Sequence, residues 1–129
     1  MKLSQGSRYL IDVVLIVVFT MLGRQTHEHG LTLLGIAQTA APFLLAYLII
    51  RVVGHFAWPS RVGSIWPDAV VVWITTAGLG LILRVLFGAT AAPAFQIVTF
   101  MTLGLFLVGH AAIRALIRAK SRRSAISSN

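Results

Sequence analysis

Four apolar runs divide the chain, and each is close to the ~20 residues that an α-helix needs to cross the hydrocarbon core of a bilayer. They fall at 7–23, 31–53, 67–87 and 93–116, separated by short segments that carry Arg, His, Pro and Gly. A helix satisfies its own backbone N–H and C=O groups, which lipid cannot do. The runs offer no polar face wide enough to cover them in water, as a soluble amphipathic helix must. With 57% hydrophobic and 11% charged residues, the chain lacks the charge that covers a soluble domain of this size. The expected fold is an all-α membrane protein: a four-helix transmembrane domain at 1–117 and a basic tail at 118–129.

The first run does not read as a cleaved signal. Lys2 and Arg8 resemble an n-region, but Asp12 interrupts the apolar stretch and no small-x-small cleavage site follows it. Orientation follows from the basic residues near the span ends. Lys2, Arg8, Arg51, Arg61, Arg114, Arg118, Lys120, Arg122 and Arg123 gather on one side, and Arg24 and Arg84 on the other. The richer side is expected in the cytoplasm with both termini, in a multi-pass protein of the cell membrane.

The net charge of +8 needs no nucleic-acid partner, because the basic residues flank apolar runs and form no solvated face. Arg114, Arg118, Lys120, Arg122 and Arg123 continue the fourth helix beyond the membrane, where each would contribute about 1 kcal/mol against anionic headgroups. A plain topology signal is the simpler account of them. The final S-A-I-S-S-N is expected to be disordered. Cysteine is absent, which removes disulfides, thiolate ligands and a Cys nucleophile, and leaves the redox compartment undetermined.

Two similar hairpins are one reading of the chain. Asp12 and Asp68 open the odd helices, Arg24 and Arg84 close them, Pro42 and Pro93 lie early in the even ones, and V-G-H recurs at 53–55 and 108–110. Both hairpins would point the same way, as in parallel-repeat transporters. The spacings match loosely, and chance resemblance between two helical hairpins is the other reading.

Asp12 is the most informative residue, because an acid inside a span is costly without a partner. Asp12, Ile16, Thr20, Gly23 and His27 share one stripe of the first helix. Donors at matching depth are Arg51, His55, His110 and Arg114. Such a site is either proton- or ion-coupled or a structural ion pair. Trp73, Thr76, Gly80 and Arg84 line one face of the third helix, and Gln96, Thr99, Thr102, Phe106, Gly109 and His110 one face of the fourth. Arg84, near the end of its helix, can snorkel to the outer surface. Asp12, Thr20, Thr76, Arg84, Thr99, Thr102 and His110 make up the candidate intramembrane polar site.

His27, Glu28 and His29 are too few and too divergent on a helix to make a metal site the better reading. His55 and His110 are the depth-matched pair that bis-His haem would need. Without a nucleophile motif, P-loop or dinucleotide fingerprint, neither an enzyme nor a resident cofactor is expected.

D-V-V-L-I-V-V-F-T-M-L-G-R-Q-T-H, A-A-P-F-L-L-A-Y, W-P-D-A-V-V-V-W-I-T-T-A-G-L-G-L-I-L-R and F-Q-I-V-T-F-M-T-L-G-L-F-L-V-G-H-A-A-I-R together resemble domain-of-unknown-function family 3054. The resemblance runs over residues 9–114 and implies a small four-helix prokaryotic membrane protein. Its most specific part is matched by Asp12, Gly23, Arg24 and His27, with Pro42, Phe43, Trp73, Gly80, Arg84 and Phe95 at further positions. Where the family pattern has Trp on the returning helices, this chain has Tyr47 and His110. The resemblance implies no activity. It does imply a structured corner after the first helix, where Gly23 permits a turn and Arg24 and His27 meet the last carbonyls.

Three functions fit. A small transporter or permeation subunit would act as an oligomer, since four short helices enclose little volume. A non-catalytic subunit of a larger membrane complex would use the Gly, Ala and Thr faces for packing. A carrier of a lipophilic cofactor would use Tyr47, Trp58, Trp66 and Trp73, although interfacial anchoring is the usual role of Trp and Tyr.

Overall fold

The computed structural model describes residues 5–26, 32–89 and 91–127. Helix α1 runs Gln5–Thr26 and α2 runs Leu33–Ala57. Thr32 caps α2, its hydroxyl accepting from the Gly35 N–H at 3.0 Å. Pro42 lies buried inside α2, which continues through it. The α2–α3 connection holds a 3₁₀ turn at Pro59–Arg61, Gly63 at φ 88° and a wide turn at Ile65–Ala69. Trp66 is extended within that turn, as a residue before proline prefers to be.

Helix α3 spans Val70–Leu86 and stops at Gly88, whose φ of 94° suits glycine after a helix. Helix α4, Pro93–Leu103, starts on proline, which costs nothing where the N–H has no intrahelical partner. A π turn at Gly104–Val108 joins α4 to α5, Gly109–Ser127, and helical dihedrals at Gly104 and Gly109 keep the three as one rod.

The described residues therefore contain four helical segments long and apolar enough to cross a membrane: Gln5–Gly23, Leu33–Ala57, Ile65–Leu86 and Pro93–Ile126. The sequence boundaries agree to within a few residues for the first three. The fourth is longer than 93–116, and the expectation of disorder at the C-terminus is corrected: 124–127 continue α5. Lys120, Arg122, Arg123 and Ala125 favour helix and Ile126 tolerates it, which lets the rod extend past the apolar part.

Helices α2 and α3 pack most closely. A Cβ on Gly80 would run into the Phe43 ring, so glycine permits this crossing. Likewise the Trp73 indole covers Gly104, where an added Cβ would sit 2.7 Å from Cε2. Trp73 Nε1 donates to the Phe100 carbonyl at 2.7 Å, tying α3 to α4. The Phe19 and Phe43 rings meet edge-on at 5.3 Å, and Phe95 closes the group at 6.2 and 6.4 Å from them. In lipid such packing substitutes for hydrophobic drive, because acyl chains are as apolar as leucine. Leu10, Val14, Leu48, Ile82, Ile97, Leu105 and Leu116 point outward, as a lipid-facing surface requires.

A buried carboxylate and guanidinium cluster as candidate functional site

Asp12 lies about two turns into α1 from Gln5, and Arg51 about two turns back from the end of α2 at Ala57. Asp68 lies at the start of the third span. Antiparallel packing brings these levels together at the end of the bundle where α1 begins. Both carboxylates are 2% exposed.

Arg51 joins them. Its Nη2 donates to Asp12 Oδ2 at 2.8 Å, its Nη1 to Asp68 Oδ2 at 2.7 Å, and its Nε to the Tyr47 hydroxyl at 2.9 Å. Tyr47 passes the polarity on, donating its own proton to Asp12 Oδ2 at 2.5 Å. The guanidinium lies over the rings of Tyr9 and Tyr47, with centroids 4.8 and 5.2 Å from Cζ. These contacts favour a partly desolvated cation.

Asp68 is also held by Trp58 Nε1 at 2.9 Å on Oδ1 and by the Gly63 N–H at 3.0 Å on Oδ2. Gly63 needs its positive φ to aim that N–H inward, and the Arg8 guanidinium covers the place where a side chain would go.

His110 completes Asp12 by bonding Oδ1 through Nε2 at 2.6 Å. Its Nδ1 accepts from Arg114 Nε at 3.2 Å. A nitrogen that accepts carries no proton, so the geometry assigns the neutral Nε2–H tautomer, which donates to Asp12. All four oxygens of Asp12 and Asp68 have donors. Arg51 bridges the two carboxylates, and Arg114 reaches Asp12 only through His110. Its chemistry is that of a shared cation. If either carboxylate were neutralised, Arg51 could turn to the other.

Of the donors expected for Asp12, Arg51 and His110 bond it and Arg114 acts through His110. His55 is exposed, with its ring edge-on to Phe56 at 5.4 Å. Both His110 nitrogens have protein partners, and His55 is not its counterpart across the bundle. Tyr47, Trp58 and Asp68 also belong to the cluster, whereas the sequence offers Tyr47 and Trp58 only as walls of a cofactor site or interfacial anchors and Asp68 only as a helix opening.

The other candidates do not join it. Thr20 donates to the Val17 carbonyl at 2.7 Å and Thr99 to the Phe95 carbonyl at 2.7 Å, each within its own helix. Thr76 is buried with no hydrogen-bond partner among the described residues, and Thr102 is half-buried. The Arg84 guanidinium lies over the Phe95 ring at 4.6 Å, towards the opposite end of the bundle. Gly23 lies 3.9 Å from Phe95 through a would-be Cβ. His27, Glu28 and His29 lie outside the described residues.

Beside the cluster, an apolar cleft of about 680 Å³ opens sideways between α1 and α2, walled by Val13, Leu44, Leu48, Val52 and Phe56 with Tyr47 and Arg51 among its lining residues. The family model described as a protein of unknown function, DUF3054, matches residues 9–116. That range takes in Asp12, Tyr47, Arg51, Asp68, His110 and Arg114. No curated protein and no solved structure matches the chain.

Proposed function

The chain belongs to the DUF3054 family, and from that premise we propose that it is a small, non-catalytic permeation subunit that works as an oligomer in the cell membrane. Both termini lie in the cytoplasm in this reading, as the basic residues at that end favour. The observation that carries it is Arg51 shared between two buried carboxylates, one of them inside the first span and bonded to a histidine. Ionisable groups held inside a span are costly and mark ion and proton pathways. A proton or small cation reaching Asp12 would free Arg51 to move towards Asp68, which couples occupancy to the packing of α1 against α2.

The Phe19, Phe43 and Phe95 rings fill the middle of the bundle. A pathway therefore runs between copies and not through one. The test is flux of protons and monovalent cations into proteoliposomes of the full chain under an imposed membrane potential. Wild type is expected to exceed empty vesicles, and Asp12→Asn to lower the rate about tenfold while keeping its oligomeric state. Wild-type flux no faster than that of empty vesicles sinks the reading.

One observation favours a second reading, an accessory subunit of a larger membrane complex. All four carboxylate oxygens are already satisfied, as in a network that only locks helices together. Native mass spectrometry after gentle extraction from the protein's own membranes separates the two. Copies of this chain alone support the permeation subunit, and a stoichiometric foreign subunit supports the accessory role.

A further inference from the structure

The end of the bundle that holds the cluster carries more cationic charge than the chain can neutralise. The sequence has eleven Lys and Arg against three Asp and Glu. Asp12 and Asp68 are committed to Arg51, Tyr47, Trp58, Gly63 and His110. The third acid, Glu28, follows α1 at its other end in the sequence.

Two guanidiniums are left with unmet donors. Arg8, on α1, reaches across to the α2–α3 connection and lies on Gly63, with Cζ 2.9 Å from a would-be Cβ. Its Nε is buried and has no acceptor among the described residues. Arg114, on α5, spends Nε on His110, and its buried Nη1 likewise has no acceptor. Arg8 and Arg118 are among the like charges that act on Arg114. Arg118 follows Arg114 by one helical turn, on the same face of α5.

Like charges with idle N–H groups are held together poorly by the protein alone. An anion with several oxygens answers both faults. The planar guanidinium fork matches phosphate, which accepts from two arginines at once. Around this end, Leu10 on α1 and Ile113, Leu116 and Ile117 on α5 are exposed and apolar, a surface suited to acyl chains. We propose that Arg8 and Arg114, with Arg118 at the rim, clasp one phosphate group, supplied by the headgroup of an anionic phospholipid. This site is distinct from loose adsorption of the C-terminal tail, and it stands whether or not the chain conducts ions.

The test is native mass spectrometry of the full chain in neutral detergent, titrated separately with phosphatidylglycerol, with phosphatidylcholine of the same acyl chains, and with inorganic phosphate. Wild type is expected to take up phosphatidylglycerol at about tenfold lower concentration than phosphatidylcholine. The double variant Arg8→Gln with Arg114→Gln is expected to lose that preference. Arg8→Lys with Arg114→Lys should keep part of it, and Arg122→Gln with Arg123→Gln nearly all of it. A phosphate adduct that the double variant loses, without a lipid preference, supports the site and names the free anion as its ligand. Equal uptake of both lipids with no phosphate adduct overturns the proposal, as does a double variant that binds phosphatidylglycerol like wild type. Should the double variant fail to fold, Arg8→Gln and Arg118→Gln singly carry the test, each lowering the preference several-fold. No change in either overturns it.

Discussion

Arg51 is the residue on which the cluster depends, because removing it strands two carboxylates out of water. Loss of one member of a buried ion pair costs about 3–5 kcal/mol, and Arg51 serves two. Losing the Tyr47 hydroxyl removes one donor from Asp12 and the acceptor of Arg51 Nε, a loss of about 1–3 kcal/mol, while Arg51 and His110 still hold Asp12. Arg51→Gln is therefore expected to unfold well below Tyr47→Phe in a thermal melt in mild detergent, and equal losses would contradict the geometry. Much of this was legible in the sequence. Asp12 inside an apolar run demands a donor, and depth matching points to Arg51, His55, His110 and Arg114, of which Arg51 and His110 bond it. Tyr47 does not stand out as a partner of Asp12, because tyrosine in a span reads as an interfacial anchor or the wall of an apolar site. Yet Asp12 lies as far before the end of α1 at Thr26 as Tyr47 lies after the start of α2 at Leu33, so the antiparallel hairpin itself pairs them. Asp68 reads as a helix opening and is hidden for a different reason. Its partners come from α2 and from the backbone of Gly63, a contact that only the turn geometry reveals.

At the scale of helices, glycine positions separate close crossings from open faces. Gly80 faces the Phe43 ring with no room for a methyl group, and Gly104 lies under the Trp73 indole. Gly109 has nothing within 4 Å of a would-be Cβ. Gly80→Ala is expected to destabilise by about 1–3 kcal/mol through forced separation of α2 and α3. Gly109→Ala, in helical backbone with open space, should be neutral or gain up to about 1 kcal/mol from helix propensity. Thermal melting of both variants side by side checks this, and a Gly109→Ala loss as large as that of Gly80→Ala would be the wrong outcome. The helices were legible because apolar length sets a span and because Pro93 and Gly88 mark ends. The Trp73, Thr76, Gly80 and Arg84 face was legible as a packing stripe. What it meets was not, since periodicity names a face without naming its neighbour. The continuation of the last helix through the basic tail is legible, and only at 124–127 does a polar serine-rich end resemble a loose tail where Arg, Lys and Ala upstream carry the helix through it.

Across the whole molecule, the two-hairpin resemblance fails at the place that matters. Asp12 and Asp68, its matched acids, share the single Arg51. In the register set by V-G-H, the position matching Arg51 is Phe106, and His55, which matches His110, is exposed. The hairpins have therefore taken different parts in one cluster, whatever their origin, and the bundle is polarised: ionic at the end where α1 begins and aromatic through the middle. The positive residues there favour the cytoplasm for the ionic end, and labelling can test this because the chain has no cysteine. Ser60 and Ala89 are exposed in connections at opposite ends of the bundle. With Ala89→Cys, a membrane-impermeant maleimide is expected to react in intact cells. With Ser60→Cys it should react only after permeabilisation. The reverse pattern would set Arg8, Arg114 and the Asp12 cluster against the outer leaflet, contrary to the expectation drawn from the excess of Lys and Arg. A proton entering at Asp12 would then start from the outside, and the phosphate held by Arg8 and Arg114 would belong to an outer-leaflet lipid.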